Sequence, residues 1–84
     1  MSRKQKLIAR FESRPRDFTW KELTRLLIGF GYEETDAGKT GGSRRRFIHP
    51  DHPAISLHKP HPGNVVKVYV MDEVRTLLED EGLI

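Results

Sequence analysis

The apolar positions of the chain change their rhythm twice, and each rhythm predicts a different element. Leu7, Ile8 and Phe11 fall at i, i+1 and i+4, a spacing that gathers side chains on one side of a helix. Residues 3–13 are therefore predicted helical, with Pro15 ending the run. Leu23, Leu26, Leu27 and Phe30 form a second stripe at intervals of three and four. It follows Thr19-Trp20-Lys21-Glu22, a capping box in which the threonine hydroxyl takes a first-turn amide hydrogen and Glu22 reaches back. Gly29 and Gly31 are expected to close this helix. Beyond Gly31 the period drops to two. Residues 32–35 read as a short strand, 36–42 as a turn, 43–49 as a second strand, 50–53 as a turn and 54–59 as a third strand. In the third strand Ile55 and Leu57 face one way, Ser56 and His58 the other. In the second, Phe47 is the core residue, and alternation puts Arg44 and Arg46 on the opposite face, which Ile48 shares. Residues 60–63, Pro-His-Pro-Gly, form a rigid link. Residues 71–81 are a last helix with Val74, Leu77 and Leu78 inward and Gly82 at its end.

The predicted order is α-α-β-β-β-α, an α+β fold. Helical stripes that cannot be buried on each other must cover one face of the small antiparallel sheet. The other face stays open, and Ser56, His58, Arg44 and Arg46 are expected to meet there. A chain of 84 residues buries about 60% of the surface its unfolded form exposes, enough for one such core. Absence of cysteine rules out a disulfide framework or a thiolate metal site and suits a reducing compartment. No stretch approaches the ~18 apolar residues of a membrane span, and no continuous apolar run follows the basic N-terminus. A cytoplasmic protein without membrane contact is the expectation.

Charge sharpens this picture. The net charge of +3 is the sum of alternating blocks. Residues 1–16 carry +5, residues 17–36 carry −3, residues 37–67 carry +5 and residues 68–84 carry −4. Segregation of this kind favours an anionic partner at the basic surface. The simpler alternative is that the charges only keep a small domain soluble.

The central basic block also holds all four histidines, within GSRRRFIHPDHPAISLHKPHP at residues 42–62. Three readings of it stand side by side. Arginine pairs bidentately with phosphate and stacks on bases, so Arg44 and Arg46, flanked by Lys39, Lys59 and a Gly-Gly turn, would hold a phosphodiester backbone without reading its sequence. RNA also carries its own nucleophile, the 2′-hydroxyl, so cleavage needs only a base, an acid and cations for the phosphorane charge. Histidine suits such proton transfers; His58, on the open face, and His61, at the edge of the same strand, are the candidates. Lys59 alternates onto the core face unless the strand ends there. Metal binding through His49-x-x-His52 and His58-x-x-His61 is the least favoured, because four histidines without cysteine make an unusual zinc site and His49 and His58 are expected on opposite faces. His49 and His52 flank a turn and read as structural or solvated, and Trp20 as a packing residue.

Several short motifs recur together in a known order: Thr40-Gly41-Gly42-Ser43, then Phe47-x-His49-Pro50, then His61-Pro62-Gly63, then Gly82-Leu83 closing a helix. With the capped helix and Gly31 before the first strand, they resemble the HicA family, small toxins of bacterial toxin–antitoxin pairs. The resemblance covers residues 19–84; residues 1–18 read as an added N-terminal helical extension. It implies a fold similar to the double-stranded-RNA-binding domain (α-β-β-β-α), endonucleolytic cleavage of mRNA with neither metal nor other cofactor, and inhibition by a HicB-type antitoxin. One residue departs from the pattern. The position directly after Gly-Ser, where better-known members carry the histidine assigned to catalysis, is Arg44 here, and arginine cannot accept a proton at neutral pH. The reading that follows is a ribonuclease toxin with His58 and His61 as catalytic residues and Lys39, Ser43, Arg44, Arg46 and Lys59 as RNA-binding residues. The alternatives are a non-catalytic RNA-binding module with the same fold, and an interaction domain whose basic face docks an acidic antitoxin.

Overall fold

The computed structural model describes residues 2–36 and 44–84, without the side chain of Asp36. Helix α1 spans Arg3–Glu12 and is capped by Ser2, whose hydroxyl accepts from Gln5 N at 3.1 Å while Gln5 Oε1 accepts from Ser2 N. The chain leaves α1 through Arg14, which takes the left-handed region at φ 54°. Helix α2 spans Trp20–Gly29 behind the capping box read from the sequence, with Glu22 N donating to Thr19 Oγ1 and Thr19 N to Glu22 Oε1. Gly29 is still helical; the turn into the sheet is made at Gly31, at φ +100°. A side chain at Gly31 would also meet the ring of His49, 2.8 Å from the position of its Cβ.

Strands β1 (Glu33–Asp36), β2 (Arg44–Ile48) and β3 (Ile55–His58) form one antiparallel sheet in the order β1-β2-β3. The turn predicted at 36–42 lies, past Asp36, outside the described residues. Helix α3 spans Val68–Asp80, starting three residues earlier than the sequence pattern predicts. The cause is tertiary. Trp20 N donates to Asn64 O and Val66 N to Phe18 O, and a β-bridge joins Thr19 to Val65. That clasp sinks Val66 into the core and launches the helix directly after Lys67. Packing thus overrides the low helix propensity of Val68 and Val70.

The helices cover one face of the sheet, as the pattern predicts. Phe47, Ile55 and Leu57 meet Leu23, Leu26, Leu27, Met71, Val74 and Leu78 there, and Trp20 lies against Phe47 with ring centroids 5.9 Å apart. Phe11 of α1 belongs to the same core, 5.6 Å from Phe18. Burying a side chain of that size stabilises by roughly 1.5–3 kcal/mol. Ion pairs fix the orientation of α1. Arg10 reaches Glu22 at 2.7 Å and Asp17 at 3.1 Å, and Arg14 grips Asp72 of α3 through two nitrogens. The Arg10 hydrogen bond, aided by Thr19 and opposed by partial burial, holds the Glu22 carboxyl below its ordinary range, and Arg14 does the same to Asp72.

Candidate nucleic-acid interface

Alternation along β2 and β3 decides which side chains reach the open face. Phe47, Ile55 and Leu57 are buried, so Arg44, Arg46, Ser56 and His58 point the other way, and all four are exposed. The register makes them neighbours: Arg44 pairs directly with His58 and Arg46 with Ser56. Side chains directly opposite on antiparallel strands have Cβ atoms about 5 Å apart, so Arg44 and His58 rise side by side on the open face. Thr35 of β1, the partner of Arg46, donates its hydroxyl to Arg46 O at 3.3 Å and ties β1 to this row. Neither Arg44 nor Arg46 forms an ion pair with a carboxylate among the described residues.

β3 is an edge strand, and beyond it a groove of about 420 Å³ separates it from the start of α3. His58 and His61 both line this groove, with Lys67 and the exposed ring of Tyr69 opposite. The fold therefore brings Arg44, Arg46 and His58 together on the open face, and His61 joins His58 in the groove at its β3 edge. Lys59 behaves differently. β3 ends at His58, and Lys59 at the turn borders this groove on one side and a second concavity on the other. Lys39 and Ser43, also expected at the interface, lie outside the described residues.

That second concavity lies on the helix side of the sheet, and the sequence pattern did not single it out. Lys21 and Arg25, one turn apart on α2, face Arg45 and Lys59 across it. Arg45 points away from Arg44 and Arg46, half-buried, with Glu34 at 3.8 Å. Two signals were available: the i, i+4 spacing of Lys21 and Arg25, and the alternation that sends Arg45 to the face opposite its neighbours. The net-acidic stretch around Lys21 and Arg25 masks the first signal.

His49 and His52 serve the fold. His49 Nδ1 accepts from Asp51 N at 2.9 Å, which leaves Nε2 to donate to Phe30 O at 3.0 Å. The His52 ring packs edge-on against it, and His52 Nδ1 meets Glu81 at the end of α3 at 2.8 Å. Tyr32 completes this cluster by donating its hydroxyl to Pro53 O, and its burial, with Glu81 adding repulsion, pushes the phenol pKa up. His58 stands on the opposite face of the sheet, and no group of three or more His, Asp or Glu among the described residues is arranged to hold a metal ion.

A capped helix, a three-stranded antiparallel sheet and a closing helix, with arginine and histidine paired on the uncovered face, define a small α+β domain of the double-stranded-RNA-binding order, α-β-β-β-α, preceded by one extra helix. The family model described as "HicA toxin of bacterial toxin-antitoxin" matches residues 20–82. The chain belongs to the HicA toxin family. No curated protein and no solved structure gives a significant match to it. The matched span begins at the first residue of α2, so α1 lies outside it.

Proposed function

We propose that the protein is the toxin of a toxin–antitoxin pair, a metal-independent endoribonuclease that cuts mRNA in the cytoplasm and is silenced by a HicB-type antitoxin. The observation that carries this reading is the direct pairing of Arg44 with His58 on the open sheet face, with His61 on the same edge.

In this mechanism Arg44 and Arg46 hold the scissile phosphate. His58, neutral, takes the proton from the adjacent 2′-hydroxyl. The 2′-oxygen attacks phosphorus, and the arginines stabilise the added charge of the phosphorane. His61, protonated, gives its proton to the departing 5′-oxygen, so the O2′–P bond forms as the P–O5′ bond breaks. The products are a 2′,3′-cyclic phosphate and a free 5′-hydroxyl. His58 then takes the part of the base that the family's histidine plays at the position of Arg44, and Arg44 becomes a phosphate ligand.

The second reading, a non-catalytic RNA-binding module of the same fold, is favoured by that one substitution. The test is a single-stranded RNA carrying 2′-deoxyribose at the cleaved nucleotide, incubated in EDTA beside the all-ribose strand. Cutting of the ribose strand alone, leaving a cyclic phosphate end, is the expected result. Binding without any cutting selects the non-catalytic module, and cutting of both strands contradicts 2′-hydroxyl attack.

A further inference from the structure

We propose that α1 and α2 carry the flanking RNA backbone to the histidine groove, so that α1, although outside the family match, is a phosphate-binding element. This rests on the reading that RNA is the substrate.

Three concavities lie end to end and share lining residues. The first, about 620 Å³, runs between α1 and α2 and is lined by Arg3, Lys4, Lys6 and Arg25. Arg25 also lines the second, with Lys21, Arg45 and Lys59. Lys59 in turn lines the third, which holds His58 and His61. The chain of cavities is thus a continuous cationic track from the start of α1 to the candidate catalytic edge. Among the described residues each lining holds one acid: Glu22 in the first, Glu34 in the second and Glu73, on the α3 side, in the third. Glu22 is engaged by Arg10 and Glu34 faces Arg45. Arg3, Lys6, Lys21 and Arg25 have no carboxylate partner among the described residues.

The composition of α1 supports an anionic occupant. Its first turn contains no acid, and its capping box uses neutral Gln5 where glutamate would serve equally well. Arg3, Lys4 and Lys6 therefore add positive charge to the positive end of the helix dipole, which is unfavourable for the isolated helix and favourable for one lying along phosphates. Arg10, the cation that does pair with acids, is the one that locks α1 against α2. A positively charged groove of this kind follows a single strand by its backbone and is indifferent to sequence.

The experiment measures binding of two fluorescein-labelled single-stranded RNAs, of about 4 and about 12 nucleotides, lengths that bracket the reach of such grooves. The full chain is compared with Arg3→Ala/Lys6→Ala, with Arg25→Ala, and with Arg16→Ala, an exposed cation that lines none of the three concavities. Circular dichroism confirms that each variant is folded. For the longer RNA, the slope of log affinity against log salt is expected to fall by about 0.7 for each track cation removed, with Arg16→Ala unchanged. For the short RNA, Arg3→Ala/Lys6→Ala is expected to match the wild type. If the wild type binds both RNAs and the α1 variant keeps the full slope on the longer one, the track is refuted while the RNA reading stands. An equal loss in Arg16→Ala refutes it too, since only net charge would then matter. If the wild type binds neither RNA, the RNA reading itself fails and the track with it.

Discussion

Two residues, Gly31 and Arg44, define the site from opposite directions. Gly31 is demanded by the backbone. It combines a left-handed φ with a ring nitrogen of His49 where a Cβ would stand. Gly31→Ala must both strain the backbone and displace His49 from its bond to Phe30 O, so a loss of about 2–3 kcal/mol is expected, read as a lower midpoint in urea. A change below about 0.5 kcal/mol would mean that the turn relaxes freely. Arg44 carries no such demand. Nothing in the packing requires arginine at this exposed strand position, and its partner across the ladder is His58. That Arg44 and His58 share the open face was legible in the alternation of buried and polar residues, because Phe47, Ile55 and Leu57 mark the buried face; their direct pairing was not, since a slip of two residues would keep the same faces and only the folded sheet sets the register. The place of Lys59 was not, since it depends on where β3 stops. The second cationic cleft was only half legible: the spacing of Lys21 and Arg25 and the alternation at Arg45 stand in the sequence, but α2, β2 and the end of β3 meet only through tertiary packing.

At the scale of elements, the amphipathic stripes and the capping box at Thr19 were enough to find both leading helices. The start of α3 was hidden because residues 64–70 are rich in valine and carry no side-chain cap. The backbone clasp from residues 18–20 fixes that start, a contact between segments over forty residues apart. The attachment of α1 also depends on tertiary partners, and it titrates. Glu22 and Asp72 both have depressed carboxyl pKa values, caused first by Arg10 and by Arg14 respectively. A depressed carboxylate contributes stability above its unfolded pKa and loses it as pH falls through the folded value. The melting temperature is therefore expected to fall as pH drops below about 4, and Glu22→Gln/Asp72→Asn is expected to start lower at pH 7 and to fall less. If the double variant loses as much on acidification as the wild type, other carboxylates govern the acid transition.

On the scale of the whole molecule, the fold separates what holds it together from what it presents. Three acids of α3 and its C-cap are drawn into structural pairs, Asp72 with Arg14, Glu79 with Arg75 and Glu81 with His52, while Glu73 and Asp80 form no ion pair among the described residues. The end of the sheet nearest that helix terminus is closed by the cluster of Tyr32, His49 and His52. Arg44, Arg46 and His58 are left on the open face, and the groove with His61 lies at its edge. Among the described residues no helix is long and apolar enough to cross a membrane. The alternating charge blocks of the sequence thus become two kinds of surface, an acidic helix tied to the fold through Asp72 and its C-cap Glu81 and an open basic sheet face.

The proposed mechanism makes His58 the base on a face where Arg44 holds phosphate. The most direct test is single-turnover cleavage of a single-stranded RNA in EDTA by the wild type and by His58→Ala, with RNA affinity measured on the same preparations. His58→Ala is expected to lower the cleavage rate by about 10²–10⁴-fold, the usual worth of a general base, while affinity stays within about threefold of the wild type because phosphate contacts supply most of it. Cleavage by His58→Ala at the wild-type rate would contradict that mechanism.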